Sequence, residues 1–96
     1  MKVIILPEAH ADLRAIRERR AEWTEQSAEE LAQALLARIR QIRDFPESGR
    51  IVPEFQVQYL RELLEQGHRI MYELFPDKIE VFGVFHSRQD IRPSSP

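Results

Sequence analysis

The second half of the chain contains three apolar segments joined by two short turns, and this pattern constrains the fold more than any other feature. The residue types of the segments predict β-strands over residues 59–64, 68–75 and 79–85. A Gln-Gly pair ending at Gly67 and a Pro-Asp pair beginning at Pro76 supply the turns between them. We therefore expect the three strands to be neighbours in one sheet.

The middle strand divides its side chains between two faces of the sheet. Successive side chains of a strand point to opposite sides, so alternate residues share a face. One face carries His68, Ile70, Tyr72 and Leu74, and the other carries Arg69, Met71, Glu73 and Phe75. Such a division is typical of a sheet that is covered by helices on one side only.

Two amphipathic helices are predicted before these strands. The first covers residues 8–23, where apolar residues form one stripe and the arginines lie on solvated faces. The second begins at Ser27, and Glu30 three residues later completes a capping-box pattern. It ends at Phe45, because a residue that precedes a proline is restricted to extended conformations. The short connection between the helices predicts an antiparallel helical hairpin.

A short apolar strand, residues 2–6, is predicted before the helices, and its lack of alternation indicates burial on both faces. The order β-α-α-β-β-β predicts an α+β fold, in which the helical hairpin packs on one face of a small, mostly antiparallel twisted sheet. The 96 residues are predicted to form one domain over residues 1–91. Residues 92–96, which are polar and proline-rich, are predicted to be a disordered tail.

The composition excludes several kinds of site. The chain has no cysteine and only three scattered histidines, so we expect no disulfide, no bound metal and no cofactor. Its net charge of −2 argues against a surface that binds nucleic acid over its whole extent. No apolar run is long enough for a signal peptide or a membrane span, so we expect a cytoplasmic protein that does not bind membranes.

Four segments of the chain, in this order, resemble the RelE/ParE superfamily of toxins from type II toxin–antitoxin modules. They are PESGRIVPE (residues 46–54), YLREL (59–63), GHRIMYEL (67–74) and VFGVFHSRQD (81–90). The resemblance implies a RelE/ParE-like fold and a small toxin that arrests bacterial growth. It also implies a labile antitoxin, encoded beside the toxin, as the protein partner, and a toxin homodimer or a toxin–antitoxin heterotetramer as the assembly.

The superfamily divides by target, and the residues of this chain favour one side. RelE-like members cut messenger RNA on the ribosome, whereas ParE-like members act on DNA gyrase. The phosphate-binding arginine of the RelE type aligns with Arg69, but its two lysines align with Leu60 and Glu62. Its later arginine aligns with Gln89, and its C-terminal tyrosine aligns with Ser95. We therefore predict a ParE-like toxin that is directed at gyrase rather than a ribonuclease.

A ribosome-dependent, metal-independent endoribonuclease is the alternative. One nuclease subgroup uses a glutamate, an arginine and a C-terminal histidine, and Glu62 or Glu65 could supply the glutamate. The catalytic candidates of such an enzyme are Arg69, His86 and Arg88, with Glu62 as a fourth. Structural roles are the other explanation of these residues, since Arg69 could equally form an ion pair with Glu62 across neighbouring strands.

Two residues are predicted to contact a partner. Arg61 points to the face opposite that of Glu62, and we assign it to the antitoxin or to a structural pair. Trp23 is at the tip of the helical hairpin, where an exposed tryptophan is typical of an interface anchor. A degenerate member that binds an antitoxin without being toxic is a further alternative.

Overall fold

The structure, a computed structural model, describes residues 1–89 as two helices packed on a five-stranded sheet. The elements in chain order are β1 (Val3–Ile5), α1 (Pro7–Ala21), α2 (Glu25–Asp44), β2 (Arg50–Ile51), β3 (Leu60–Glu65), β4 (His68–Leu74) and β5 (Ile79–His86). The predicted α+β fold is confirmed, and β2 is one strand more than predicted. The predicted tail, residues 92–96, lies outside the described residues, and one domain over residues 1–91 stays a prediction.

The sheet has the strand order β1-β5-β4-β3-β2. β1 is parallel to β5, and the other neighbouring strands are antiparallel. Gln66 and Gly67, with φ angles of 45° and 78°, form the tight turn between β3 and β4. Positive φ at both central residues gives a turn whose twist matches that of the flanking strands. The three consecutive strands predicted between residues 59 and 85 are confirmed, within one residue at each end.

β1 lies at an edge of the sheet, and the prediction that it is buried on both faces is wrong. Its three residues are only half-buried. It pairs with β5 along one side, with Val3 opposite Ile79, and no strand among residues 1–89 pairs with its other side. An unbroken run of β-branched residues does not distinguish an edge strand from a central one, because both positions favour the same residue types.

The helical hairpin forms as predicted, but α2 begins two residues before Ser27. Its N-cap is Thr24, whose Oγ1 accepts a hydrogen bond from the Ser27 N–H at 2.9 Å. The capping box predicted from Ser27 and Glu30 is therefore wrong, because the Ser27 N–H that the Glu30 side chain would bind already donates to Thr24. α1 ends at Ala21, which leaves Trp23 in the connection. Within residues 1–89, neither helix is long and apolar enough to cross a membrane.

The core lies between the helices and one face of the sheet. The helices contribute Ala9, Ile16, Leu31, Leu35, Ile39 and Ile42, and the strands contribute Leu63, Ile70, Tyr72, Ile79, Val81 and Val84. Burial of each large apolar side chain stabilises the fold by about 1.5–3 kcal/mol relative to exposure. The face of β4 that carries Ile70 and Tyr72 is thus covered by the helices, and Arg69 and Met71 lie on the opposite face.

Candidate functional site

Arg69 lies on the sheet face that points away from the helices, inside a network of ion pairs. Its Nη1 and Nη2 donate to the two carboxylate oxygens of Glu54 at 2.7 and 2.6 Å, and its Nε donates to Glu62 Oε1 at 2.7 Å. The second oxygen of Glu62 accepts a hydrogen bond from Arg50 Nε at 2.6 Å. Arg69 is 5% exposed and Glu62 is 1% exposed. The cross-strand ion pair that was the structural explanation of Arg69 is therefore present.

The surroundings of Arg69 leave little room for a substrate phosphate. Hydrogen bonds to Glu54 raise the pKa of Arg69, burial opposes them, and the bonds to Glu62 raise the pKa further, so the net shift is upward. Each of its three nitrogens already donates to a carboxylate in charge-assisted bonds, which are the strong class of hydrogen bond. A phosphate could reach the guanidinium only by displacing Glu54.

His86 is the last residue of β5, and Arg88 lies in the turn that follows it. In the register of β4 and β5, His86 is opposite His68 and Arg69 is opposite Phe85. Since opposed residues of an antiparallel pair share a face, His86 points to the helix-covered side and Arg69 points to the other. The backbone N–H of Arg88 donates to His86 Nδ1 at 3.1 Å. The structure thus brings His86 and Arg88 together and places Arg69 on the opposite face.

A cleft at the tip of the helical hairpin contains His86 and Trp23, which the sequence singled out, together with residues that it did not. This end cleft, of about 270 Å³, is lined by Arg19, Arg20, Trp23, His68 and His86 over an apolar floor. The two histidine rings meet edge to face at 5.9 Å, and the Arg20 guanidinium lies over the Trp23 ring at 5.6 Å. Sequence reasoning assigned Arg19 and Arg20 to solvated faces. The available signal was a pair of adjacent arginines one turn before the single tryptophan.

The two histidines of the end cleft have different surroundings. His68 is 7% exposed, and burial lowers its pKa, with smaller effects from nearby hydrogen bonds and charges. Its Nδ1–H donates to the Gln66 carbonyl oxygen at 3.0 Å, so the neutral ring keeps Nε2 as an acceptor. His86 is exposed. Within residues 1–89, no third His, Asp or Glu joins them in a group that could hold a metal ion.

The lowered pKa of His68 predicts a specific dependence of stability on pH. Because the pKa of His68 is lower in the folded chain, the unfolded chain binds this proton first as the pH falls. The free energy of unfolding should therefore decline below about pH 6.5 and level off once the folded-state pKa is passed. Urea titrations at a series of pH values should show this decline in the wild type and a flatter profile in His68→Gln. His10→Gln, at an exposed position, is the control, and identical profiles for all three would contradict the prediction.

The two residues predicted to contact a partner differ in their surroundings. Trp23 is 80% exposed at the hairpin tip. Arg61 is half-buried, and it donates to the carbonyl oxygens of Gln58 at 2.8 Å and Gly49 at 3.2 Å. Arg61 thus makes structural contacts, which were the alternative to antitoxin binding. Trp23, in contrast, presents most of its surface to solvent. The assignment of either residue to a partner stays a prediction.

Comparison with known proteins identifies the family. A family model described as the ParE toxin of type II toxin–antitoxin system, parDE, matches residues 3–91. No curated protein matches the chain at a significant level. A solved structure of the chromosomal ParDE TA system from P. aeruginosa is similar, with a TM-score of 0.76 and 19% identity over 90% of this chain and 95% of that chain. At this identity the likeness shows the fold alone. Because the family model covers nearly the whole chain, the protein belongs to the ParE toxin family of type II toxin–antitoxin systems.

Proposed function

We propose that this protein arrests bacterial growth by acting on DNA gyrase, and that it does so without cutting RNA. The choice of target rests on the contacts of Arg69, which is the one RelE-type cation that the sequence retains. All three of its nitrogens donate to Glu54 or Glu62, and His86 lies on the opposite face of the sheet. RNA cleavage would need Arg69 and His86 at one site, but they lie on opposite faces of the sheet.

The charges around Arg69 support the same choice. Metal-free attack of a ribose hydroxyl on a phosphate concentrates negative charge, which cations must stabilise. Among residues 1–89, the ion pairs on this face join two guanidinium groups, from Arg50 and Arg69, and two carboxylates, from Glu54 and Glu62. The charges of these four described groups balance, so they supply no excess of positive charge to a phosphate.

An assay with purified gyrase tests this proposal. The protein should inhibit DNA supercoiling and increase the amount of cleaved DNA, because a gyrase poison traps the enzyme on broken strands. Expression in cells should cause filamentation and a DNA-damage response while messages stay intact, as expected for a toxin whose target lies in the cytoplasm. Codon-dependent cleavage of messages on ribosomes, lost in His86→Ala, would establish the nuclease instead. Absence of growth arrest would support a non-toxic member that only binds an antitoxin.

The toxin role also calls for an antitoxin, and we propose that the product of the adjacent gene neutralises this protein by binding it. The family match supports this proposal, since members belong to two-component modules. Co-expression of the adjacent gene should restore growth. Light scattering on the purified mixture would distinguish a homodimeric toxin from a toxin–antitoxin heterotetramer.

Trp23→Ala should weaken binding to the antitoxin without changing the stability of the fold. Because the side chain is 80% exposed, we expect the free energy of unfolding to change by less than about 0.5 kcal/mol. An aromatic interface anchor typically contributes 2 kcal/mol or more, so binding to the antitoxin should weaken by about 30-fold. Thermal unfolding and calorimetric titration measure the two quantities. Unchanged affinity would remove Trp23 from the interface.

A further inference from the structure

The end cleft at the tip of the helical hairpin has a basic lining. Within residues 1–89, its ionisable side chains are those of Arg19, Arg20, His68 and His86, and no carboxylate lines it. The chain as a whole has a net charge of −2, so this concentration of basic groups is local. A cleft lined by groups of one sign raises the local concentration of ligands of the opposite sign. The lining therefore favours an anionic ligand.

The two arginines of the end cleft are available to such a ligand. Among residues 1–89, no carboxylate forms an ion pair with Arg19 or Arg20. Arg17, on the same helix, is in contrast held by two glutamates of α2. The contact between Arg20 Nη1 and Ser27 Oγ is long, at 3.4 Å. Two adjacent guanidinium groups can thus donate to phosphate oxygens, which arginine binds in a bidentate manner.

Trp23 provides a flat aromatic surface beside these arginines. The Arg20 guanidinium lies 5.6 Å from the centre of the Trp23 ring, and the side chain is 80% exposed. A nucleobase stacks on such a ring, and every base has a face that can do so. A nucleotide joins its phosphate to its base through a single sugar. The neighbouring side chains of Arg20 and Trp23 can therefore bind the two ends of one nucleotide.

His68 is a buried polar side chain in the wall of the end cleft. It is 7% exposed, and its Nδ1–H donates to the Gln66 carbonyl oxygen at 3.0 Å. This bond and the edge-to-face contact with His86 fix the orientation of the ring. The neutral ring offers Nε2 as an acceptor, which suits a hydroxyl donor such as that of a ribose.

The size of the end cleft favours a single nucleotide over a nucleic-acid strand. Its volume is about 270 Å³, close to the lower end of the usual range of small-molecule pockets, about 300–1,000 Å³. A strand is bound along an extended positive groove that follows its backbone. The apolar floor, formed by Ile16 and Leu31, also differs from the polar surfaces that bind nucleic acids.

We propose that the end cleft binds a nucleotide, with its phosphates at Arg19 and Arg20 and its base against Trp23. The proposal depends neither on the antitoxin nor on the toxin's target, so the purified protein alone is sufficient to test it. The structural alternative is that Arg19 and Arg20 only complement the helix dipole, because both lie in the last turn of α1.

Calorimetric titration with ADP tests the proposal, and the two halves of the ligand are titrated separately. ADP should bind with a dissociation constant of about 1 mM or lower, and inorganic phosphate and adenosine should each bind at least about tenfold more weakly. Trp23 is the only tryptophan of the chain, so saturable quenching of its fluorescence by ADP reports the stacked base. In NMR spectra, ADP should shift the ring signals of His68 and His86 and leave those of His10, outside the cleft, unchanged.

A pair of matched variants separates binding from a structural role. Arg19→Gln/Arg20→Gln should weaken ADP binding by about 30-fold, because it removes both guanidinium groups. Arg14→Gln/Arg40→Gln makes the same change in net charge at exposed positions outside the end cleft, and its affinity should stay within about twofold of the wild type. Trp23→Ala should weaken binding by about tenfold through loss of stacking. Thermal unfolding checks that each variant is folded.

Four results would each overturn the proposal. The absence of saturable ADP binding by the wild type up to about 10 mM would exclude a nucleotide site. Equal affinity of Arg19→Gln/Arg20→Gln and the wild type would leave the arginines with the helix-dipole role alone. Equal affinity for ADP and inorganic phosphate would reduce the end cleft to a phosphate site without a base. Tighter binding of a ten-residue oligothymidylate than of ADP, lost in the same variant, would assign the cleft to a single strand of nucleic acid.

Discussion

Replacing Arg69 with alanine should lower the free energy of unfolding by about 3–5 kcal/mol, which is the usual cost of leaving a buried charge without its partner. The Glu62 side chain is fully buried, and Arg69 provides one of its two guanidinium partners. Arg69 also holds Glu54, which belongs to the segment between β2 and β3. The variant therefore loses the ion pairs of two carboxylates at once.

Urea unfolding of Arg69→Ala and Arg50→Ala provides the matched comparison. Arg50 binds the same carboxylate from a half-exposed position, so its removal should cost only about 1 kcal/mol. The double variant Arg69→Met/Glu62→Leu should recover most of the lost stability, because apolar residues of similar volume often replace buried ion pairs without loss. If Arg69→Ala were no less stable than Arg50→Ala, the structural role of Arg69 would be refuted.

The stability of Arg69→Ala also decides how activity assays are interpreted. A variant that is partly unfolded loses any function, so lost toxicity in Arg69→Ala would not show that Arg69 is catalytic. His86 is exposed, and the backbone N–H of Arg88 is the one polar contact of its ring within residues 1–89. His86→Ala is therefore the better test of the nuclease alternative, since its fold should be intact.

The parts of the fold that the sequence predicted correctly are those specified by neighbouring residues. The turn at Gln66 and Gly67 fixes β3 against β4, since two adjacent positive φ angles favour this turn. β2 was missed because its two residues, Arg50 and Ile51, become a strand only by pairing with Glu62 and Arg61 across a long segment. The start of α2 was missed because Thr24 and Ser27 are both good caps, and the backbone conformation decides between them.

The candidate site was harder to predict than the fold. Alternation placed His68 and Arg69 on opposite faces, but the face of His86 depends on its pairing with His68 in the register of β4 and β5. Glu54, the bidentate partner of Arg69, lies in a segment without regular structure. No local sequence pattern specifies the path of such a segment. The preference for a ParE-like over a RelE-like protein came in part from the residues that replace the RelE-type lysines, later arginine and tyrosine, and the family match confirms it.

Gly49→Ala is expected to have the second large effect, a loss of about 2–4 kcal/mol in the free energy of unfolding. A Cβ atom at this position would lie 2.5 Å from Tyr72 Oη and 2.7 Å from the Glu62 carbonyl oxygen. Neither atom can move freely. The tyrosine hydroxyl donates to the Pro46 carbonyl at 2.7 Å and accepts from the Gly49 N–H at 2.9 Å, and the carbonyl belongs to β3. Burial raises the pKa of Tyr72, so the hydroxyl remains a donor at any ordinary pH.

Gly83→Ala is the matched control, because the atoms that it would meet can move. A Cβ at Gly83 would clash with the ring of Phe85, a side chain that is only half-buried. Rotation of the Phe85 side chain about its Cα–Cβ bond would move the ring away, and alanine is better than glycine within a strand by roughly 0.5–1 kcal/mol. Gly83→Ala should therefore cost less than about 1 kcal/mol in urea unfolding. Equal losses in the two variants would show that Tyr72 and β3 adjust as readily as Phe85, and that the polar contacts of Tyr72 do not hold the turn before β2 in place.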